Sequence, residues 1–138
     1  NFAWLEKYFY IEDYDRLVLE NPEEYIINKN GYIFFAIENE AVLGTVALIY
    51  RGEAEGFELS KMGVTEKAQG KKIGQKLMDY CLQFAKDKGS HRVFLDSNTV
   101  LTPAITLYKK VGFVEIPVPE DTPYERCNIR MEMSLKKN

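Results

Sequence analysis

The sequence has few of the residues that build disulfide scaffolds or histidine-based metal sites. Its 138 residues include only two cysteines, Cys81 and Cys127, and one histidine, His91. Two cysteines cannot form the disulfide framework of a small secreted domain, and their scarcity favours a reducing compartment. A single histidine cannot build a histidine cluster, and the two cysteines do not have the spacing of a zinc site. The sequence therefore predicts a cytoplasmic protein that binds no metal.

Long apolar runs are also missing. The longest, Ile33 to Ile37 and Val46 to Tyr50, are far shorter than the roughly 20 residues of a membrane span. The first ten residues lack the basic end and small-residue cleavage site of a secretory signal. Nine glycines and five prolines, with 46% hydrophobic and 28% charged residues, are ordinary for a globular chain. We therefore expect one soluble domain over residues 1–138.

Positive charge is in slight deficit. Eighteen basic residues against 21 acidic ones give a formal charge of -3, which disfavours nucleic acid as a partner. Four lysines nevertheless fall within ten residues: Lys67, Lys71, Lys72 and Lys76. Such a cluster by itself is typical of a solvated helix surface. Only its surroundings can indicate a ligand.

Hydrophobic periodicity and turn residues predict a mixed α/β domain. Helices are predicted over Phe2–Phe9, from Asn21 to Gly31, from Gly70 to Lys88 with Gly89 as its cap, and from the N-cap Thr102 to Gly112. Strands are predicted at Tyr32–Glu38, Ala41–Tyr50, Phe57–Val64, Val93–Leu95, Phe113–Val118 and Asn128–Leu135. The short Asn39-Glu40 connection makes the first two strands an antiparallel hairpin.

The most informative segment, Val64 to Leu77, reads VTEKAQGKKIGQKL. A predicted strand leads through a polar turn with two glycines into an amphipathic helix. The unpaired N–H groups and the positive dipole end at a helix N-terminus suit a phosphate or pyrophosphate. The segment contains neither Gly-x-x-x-x-Gly-Lys-Ser/Thr nor Gly-x-Gly-x-x-Gly, which argues against nucleotide hydrolases and dinucleotide-binding enzymes.

This segment resembles the signature of the GNAT superfamily of acyl-CoA-dependent N-acetyltransferases, Gln/Arg-x-x-Gly-x-Gly/Ala. The matching residues are Gln69, Gly70, Lys71, Lys72, Ile73 and Gly74. Lys72 stands where the first signature glycine is usual, so its side chain either turns away from the pyrophosphate or adds a charge there. A second block resembles the family's Asn followed by Ala-x-x-Leu-Tyr-x-x-x-Gly-Phe, and its matching residues are Asn98, Ala104, Leu107, Tyr108, Gly112 and Phe113.

The resemblance, which runs from Tyr32 to Leu135, implies a mixed, splayed central sheet flanked by helices, with acetyl-CoA in the gap near Val64. Members of the family begin with a strand before the first helix, and we expect that strand to be missing from this chain. Because the chain also lacks an initiator Met, the expectation is a fragment or a trimmed chain of a larger protein.

The resemblance further implies how acetyl-CoA is held as a co-substrate. The backbone of Met62 and Val64 would pair with the pantetheine arm, and the amides of Gln69 to Gly74 would hold the pyrophosphate. Asn98 corresponds to a polar residue that contacts the arm, and Lys110 either reaches the ribose phosphate or is merely solvated. Between Met62 and Val64, Gly63 interrupts an apolar strand, which indicates a bulge or the close approach of another backbone.

Acetyl transfer to an amine needs a proton acceptor and help for the departing thiolate. Glu58 is the predicted base, because it corresponds to the base of histone-type members and because strand alternation puts it on the same face as Val64, six residues later. Tyr108 occupies the family's general-acid position and would hydrogen-bond the sulfur. The alternatives are an exposed strand glutamate and a tyrosine packed on the sheet.

The acceptor is predicted to be the primary amine of a small molecule. The loop from Pro119 to Asn128 contains Tyr124 and Arg126, and an arginine can pair with a carboxylate in bidentate geometry. The loop therefore favours a small zwitterionic acceptor. No nucleic-acid or membrane partner is expected, and a homodimer is left open. Two other functions also stay open at this point: a non-catalytic acyl-CoA-binding regulatory module, and a protein lysine acetyltransferase.

Overall fold

The computed structural model of the chain describes residues 3–6, 31–120 and 127–135, the first of these ranges by its backbone alone. The helix predicted from Asn21 and the acceptor-loop residues Tyr124 and Arg126 lie outside the described residues. Within the described part of the chain, no helix is long and apolar enough to cross a membrane.

One open mixed sheet organises the described residues. Its seven strands are β1 (Ala3–Glu6), β2 (Gly31–Glu38), β3 (Ala41–Tyr50), β4 (Phe57–Val64), β5 (Arg92–Ser97), β6 (Val114–Ile116) and β7 (Ile129–Ser134). They are ordered β1-β2-β3-β4-β5-β7-β6. Every neighbouring pair is antiparallel except β4 and β5, which are parallel. A 3-10 turn, Glu66–Ala68, precedes helix α1 (Ile73–Asp87), and helix α2 (Thr102–Val111) follows β5.

The first residues differ from prediction. Residues 3–6 form a strand rather than a helix, and the predicted loss of the first strand is therefore wrong. Strand β1 pairs with β2 from Ala3 opposite Ile37 to Glu6 opposite Phe34. A stretch of four residues is too short for its apolar spacing to distinguish a helix from a strand. These residues form a strand because they pair with the backbone edge of β2, which is remote in sequence.

The β2–β3 hairpin is confirmed. Both residues of its turn, Asn39 and Glu40, have positive φ values, 51° and 67°. This backbone geometry matches the right-handed twist of the two strands that it joins. Helix α1 ends as predicted, with Gly89 at φ 86° just beyond it. Helix α2 begins one residue from its predicted position, since Leu101 and not Thr102 is the N-cap.

Helices α1 and α2 pack on one face of the sheet, over a core that includes Leu48, Leu59, Leu77, Leu95 and Met131. The close approach of α1 depends on Gly44 of β3. A Cβ built at Gly44 would lie 2.9 Å from Leu77 Cδ1 and 3.0 Å from Ile73 Cγ2. The opposite face carries a smaller apolar cluster of Ile33, Phe35, Ala47 and Ile49.

Candidate active site

A cleft opens where the two parallel strands separate. Strands β4 and β5 pair only at Phe57 with Val93 and at Glu58 with Phe94. Beyond Glu58, β4 continues beside β3 as far as Val64, whereas β5 continues beside β7. The gap has a volume of about 380 Å³, and its lining includes Glu58, Met62, Asn98 and Tyr108. Four predicted residues from three separate parts of the sequence therefore meet in one cleft.

The strand bulge expected near Gly63 lies at Lys61 and Met62 instead. Thr45 of β3 is opposite Gly63 and Ala47 is opposite Ser60, so two residues of β4 face the single residue between them. Lys61 adopts a φ of 53°, as one residue of a bulge commonly leaves the extended region. A Cβ built at Gly63 meets no described atom within 4 Å, so no described backbone requires a glycine there.

This bulge reverses the alternation of side chains and overturns the predicted face of Glu58. Phe57 and Leu59 belong to the core beneath the helices, and beyond the bulge Met62 and Val64 pack against that same core. Glu58 is opposite Ile49, which belongs to the cluster on the other face. Glu58 and Val64 therefore lie on opposite faces of the sheet. The cleft passes between these faces, with Tyr108 of α2 on the helix side and Glu58 on the other.

The signature segment forms a tight turn that leads into α1. The amides of Gln69 and Lys71 donate to carbonyls within this turn, those of Glu66 and Ala68. The first helical bond runs from Lys76 N–H to the Lys72 carbonyl, so the amides of Ile73, Gly74 and Gln75 precede the helical ladder. Such amides, with the helix dipole, form an anion-binding position. Of the six residues predicted to hold the pyrophosphate, Ile73 and Gly74 are those whose amides precede the helical ladder.

Lys72 adopts the left-handed conformation, with φ 59° and ψ 33°, immediately before α1. Glycine adopts this conformation without steric cost, whereas for a residue with a Cβ, such as lysine, the conformation costs roughly 1–2 kcal/mol of stability. The backbone thus explains why a glycine suits this position of the signature. The Lys72 side chain is exposed, so the lysine brings a charge to the loop at the cost of backbone strain.

Gly74 brings the two helices together. A Cβ built on it would lie 3.0 Å from Leu107 Cδ2 of α2 and 3.8 Å from Val64 Cγ2. These contacts give the glycine a packing role beside the predicted role in phosphate binding. They also connect the start of α1 to the cleft, because Met62 Cε, at 4.0 Å, belongs to a residue that lines it.

Tyr108 is 8% exposed and packs in the core of the helix face. Burial raises the pKa of its hydroxyl, and a hydrogen bond with the Ser97 side chain partly opposes this shift. The Tyr108 hydroxyl therefore stays protonated over the neutral range, as a hydrogen-bond donor must. Ser97 lines the same cleft.

Glu58 is 4% exposed and forms an ion pair with Arg51. Arg51 Nε and Nη2 each lie 2.8 Å from Glu58 Oε1. Burial of a carboxylate is costly unless the charge has a partner, and Arg51 is such a partner. The prediction of an exposed strand glutamate as the alternative role for Glu58 is therefore wrong.

A second ion pair stands beside the cleft on the same face as Glu58. Arg130 donates to both oxygens of Asp96, over 2.7 Å from Nε and 2.8 Å from Nη2. The Asp96 side chain is 3% exposed and the residue lines the cleft. The Arg130 guanidinium also lies 4.7 Å from the ring centroid of Phe94. This bidentate pair fixes the β5 and β7 wall of the cleft.

Of the remaining predicted residues, Asn98 lines this cleft, whereas Lys71 and Lys110 do not. Asn98 Oδ1 accepts from Val100 N–H, over 3.0 Å, and so forms the turn before α2. Lys71 Nζ lies 3.1 Å from Glu38 Oε1 and lowers the pKa of that carboxyl. Lys110 is exposed in the last turn of α2 and does not belong to the cleft lining.

Sequence reasoning missed Arg51, Asp96, Ser97 and Arg130. Each of them acts through a partner that is distant in sequence or on another strand, so no local motif marks them. The Asp96 and Arg130 pair could be recognised only from the register of β5 with β7, in which these two residues are directly opposite.

Comparisons with known proteins agree with this architecture. A family model described as "Acetyltransferase (GNAT) family" matches residues 1–113. The chain belongs to this family. Over 114 residues it is 27% identical to an uncharacterized N-acetyltransferase of Escherichia coli K12, YjgM, with 80% of this chain and 68% of that protein covered.

Two solved structures show the same GNAT fold. An acetyltransferase of Staphylococcus aureus Mu50 superimposes with a TM-score of 0.84 at 24% identity, covering 99% of this chain and all of that one. A GNAT acetyltransferase of Elizabethkingia anophelis with acetyl-CoA bound has a TM-score of 0.73 at 22% identity, covering 98% and 99%. The predicted GNAT fold, with its open mixed sheet, is thus confirmed.

The GNAT assignment makes this an acetyl-CoA-dependent N-acyltransferase domain. The described residues suit acetyl-CoA as the co-substrate. The gap between β4 and β5 is open to the extended pantetheine arm of acetyl-CoA. The start of α1 lies beside this gap, because Gly74 is next to Met62, which lines it. No group of three potential metal ligands occurs among the described residues.

Proposed function

We propose that this GNAT domain acetylates the primary amine of a small molecule by direct attack within a ternary complex. One observation carries the proposal: the cleft crosses the sheet, with Tyr108 on the helix face and Glu58 on the opposite face. Donor and acceptor approaching from the two faces would meet in the gap. Acetyl-CoA supplies an acetyl group activated as a thioester, and the chain's own residues handle the protons.

Glu58 addresses the protonation of the acceptor. An alkyl amine with the pKa of lysine is more than 99% protonated at pH 7, and its deprotonation costs roughly 4–5 kcal/mol. A carboxylate that lines the cleft can accept this proton directly or through one water molecule. Glu58 is the proposed proton acceptor, since its side chain is buried away from bulk solvent and lines the gap.

Tyr108 is proposed to assist the leaving thiolate. Its pKa is raised by burial, so the hydroxyl remains a donor at neutral pH. A thiol with a pKa near 8.5 is already a good leaving group. A hydrogen bond to sulfur would therefore contribute more than complete proton transfer.

The cleft's size is compatible with a small acceptor. Its volume of about 380 Å³ is within the roughly 300–1,000 Å³ typical of small-molecule sites. The side chains that line it include the carboxylates Glu58 and Asp96, which suits a cationic amine. We further propose that the acceptor has a carboxylate, which Arg126 and Tyr124 would bind. A cytoplasmic location is also part of the proposal, and both cysteines are free.

A panel of amines, amino acids, polyamines and lysine peptides tests the proposal, with acetyl-CoA as donor and free thiol as the product measured. Turnover of small amines is expected. Turnover of lysine peptides alone would support the protein acetyltransferase instead, and binding of acetyl-CoA without any turnover would support the regulatory module.

The Glu58→Gln variant tests the base. We expect a fall in kcat/KM of about a hundredfold near pH 7, with partial recovery as the pH approaches the pKa of the amine. Glu132→Gln is the matched control, because Glu132 is also paired with an arginine on the same sheet face and does not line the cleft. A parental rate and pH profile for Glu58→Gln would remove Glu58 from the mechanism.

A further inference from the structure

Arg51 is held in a defined position at the end of β3. Its backbone N–H donates to the Gly56 carbonyl over 2.8 Å, and Gly56 N–H donates to the Gly52 carbonyl over 2.9 Å. Gly56 is required in this loop, because a Cβ there would clash with the backbone carbonyl of Arg92. The hydrogen bonds within residues 51–56 therefore hold the backbone of Arg51 in a defined position.

The guanidinium of Arg51 engages one carboxylate oxygen with two nitrogens. Both Nε and Nη2 lie 2.8 Å from Glu58 Oε1. A planar guanidinium has a fixed arrangement of donors, so two contacts restrict the carboxylate far more than one point charge would. The Arg51 side chain is 39% exposed, whereas that of Glu58 is 5% exposed. Arg51 thus contacts the buried carboxylate from the solvent side and does not line the cleft.

Other charged groups surround Glu58, and they define what a change at Arg51 can do. Arg130 of β7 interacts with Glu58 electrostatically. Asp96 of β5 is bound by Arg130, and Glu132 of β7 is bound by Arg92. Lys61 of β4, Tyr108 and Cys127 complete the titratable residues of the cleft lining. Among these cations, Arg51 contacts Glu58 directly, with two nitrogens 2.8 Å from Oε1.

We propose that Arg51 is a positioning residue for Glu58, which orients its carboxylate for work as the base in the cleft. The inference rests on the proposed role of Glu58. Removing a positive charge within about 4–6 Å of a carboxylate favours its protonation and moves its titration upward by one to three pH units. The acid limb of the pH profile is therefore the informative measurement.

The test compares Arg51→Gln, Arg51→Lys and the parent by kcat/KM across pH. For Arg51→Gln we expect the acid limb to move up by about one pH unit and kcat on the plateau to fall about tenfold. The KM for acetyl-CoA should stay unchanged. Arg51→Lys keeps the charge but loses the planar fork, so it should keep the parental acid limb while kcat falls. Glu132→Gln, which changes an ion pair that does not line the cleft, is the control and should leave the acid limb in place.

Adding Glu58→Gln to Arg51→Gln separates the two hypotheses. If Arg51 acts through Glu58, the double variant should be no slower than Glu58→Gln alone. An equal loss from Arg51→Gln in both backgrounds, or a parental pH profile for Arg51→Gln while Glu58→Gln is impaired, would overturn the role of Arg51 only. A fully active Glu58→Gln would overturn the proposed base itself. Circular dichroism verifies that each variant folds, and Arg51→Lys preserves the test should Arg51→Gln fail to do so.

Discussion

Replacing Lys72 separates the charge of its side chain from the strain of its backbone. Lys72 is in the left-handed conformation at φ 59° and its side chain is exposed at the start of α1. Lys72→Ala removes the charge and keeps the strain. Lys72→Gly removes both. The difference between the two variants therefore reports on the backbone, and their common difference from the parent reports on the charge.

The expected magnitudes follow from the local geometry. The left-handed conformation costs a residue with a Cβ roughly 1–2 kcal/mol, and glycine loses about 0.4–1 kcal/mol relative to alanine through the entropy of the unfolded chain. Lys72→Gly should therefore have a free energy of unfolding that exceeds that of Lys72→Ala by up to about 1.6 kcal/mol. An exposed charge contributes roughly 0.2–1 kcal/mol to an ionic contact, so both variants should bind acetyl-CoA up to about fivefold more weakly.

Urea unfolding measures the first effect, and calorimetric titration with acetyl-CoA at low and high ionic strength measures the second. The loss of affinity should shrink at high salt, because the interaction is solvent-exposed. If Lys72→Gly is less stable than Lys72→Ala, the left-handed backbone is not what this position requires. If both variants bind acetyl-CoA as the parent does, the lysine does not act on the phosphate site. Tighter binding would show that the side chain obstructs it.

Four further outcomes are expected. Tyr108→Phe should lower kcat at least tenfold with little change in acetyl-CoA affinity, because the hydroxyl acts as charge develops on sulfur; a parental kcat would leave Tyr108 a packing residue. Gly74→Val should lower the free energy of unfolding by about 1–3 kcal/mol by forcing α1 from Leu107, whereas Gly63→Ala, the control, should be tolerated in urea unfolding. Acetyl-CoA at a hundredfold excess over its Kd should stabilise the fold by about 2.7 kcal/mol in a thermal shift assay, and an unchanged Tm would contradict donor binding. Burial and Asp96 raise the pKa of Cys127, so iodoacetamide should label it slowly at pH 7 and faster as pH rises, and acetyl-CoA should protect it because it lines the cleft.

Local features of the fold were predictable because short-range physics decides them. The β2–β3 hairpin follows from strand-forming residues on both sides of a two-residue turn. The ends of α1 and α2 follow from the glycines at positions 89 and 112, both with positive φ. The turn before α1, which is predicted to bind the pyrophosphate, follows from glycine spacing and the exposed amides of a helix N-terminus. Each of these features depends on residues within a few positions of one another.

The tertiary structure decided which side chains meet. Strand alternation placed Glu58 on the face of Val64, but one extra residue at the Lys61 bulge reverses it. A bulge depends on how β4 pairs with β3, and β3 is a separate segment of the chain. The strand at residues 3–6 likewise depends on the free edge of β2.

The sequence by itself therefore determined the family's motifs, the two described helices and most of the described strands, and it predicted where acetyl-CoA would bind. It could not determine that Arg51 holds Glu58, that Arg130 holds Asp96, or that Gly74 packs on Leu107. The physical reason is that these contacts join residues up to 34 positions apart, and their energies arise only once the sheet register and helix packing exist. The charged residues at this cleft have partners that only the fold brings together, whereas the turn before α1 is formed by residues that are neighbours in the sequence.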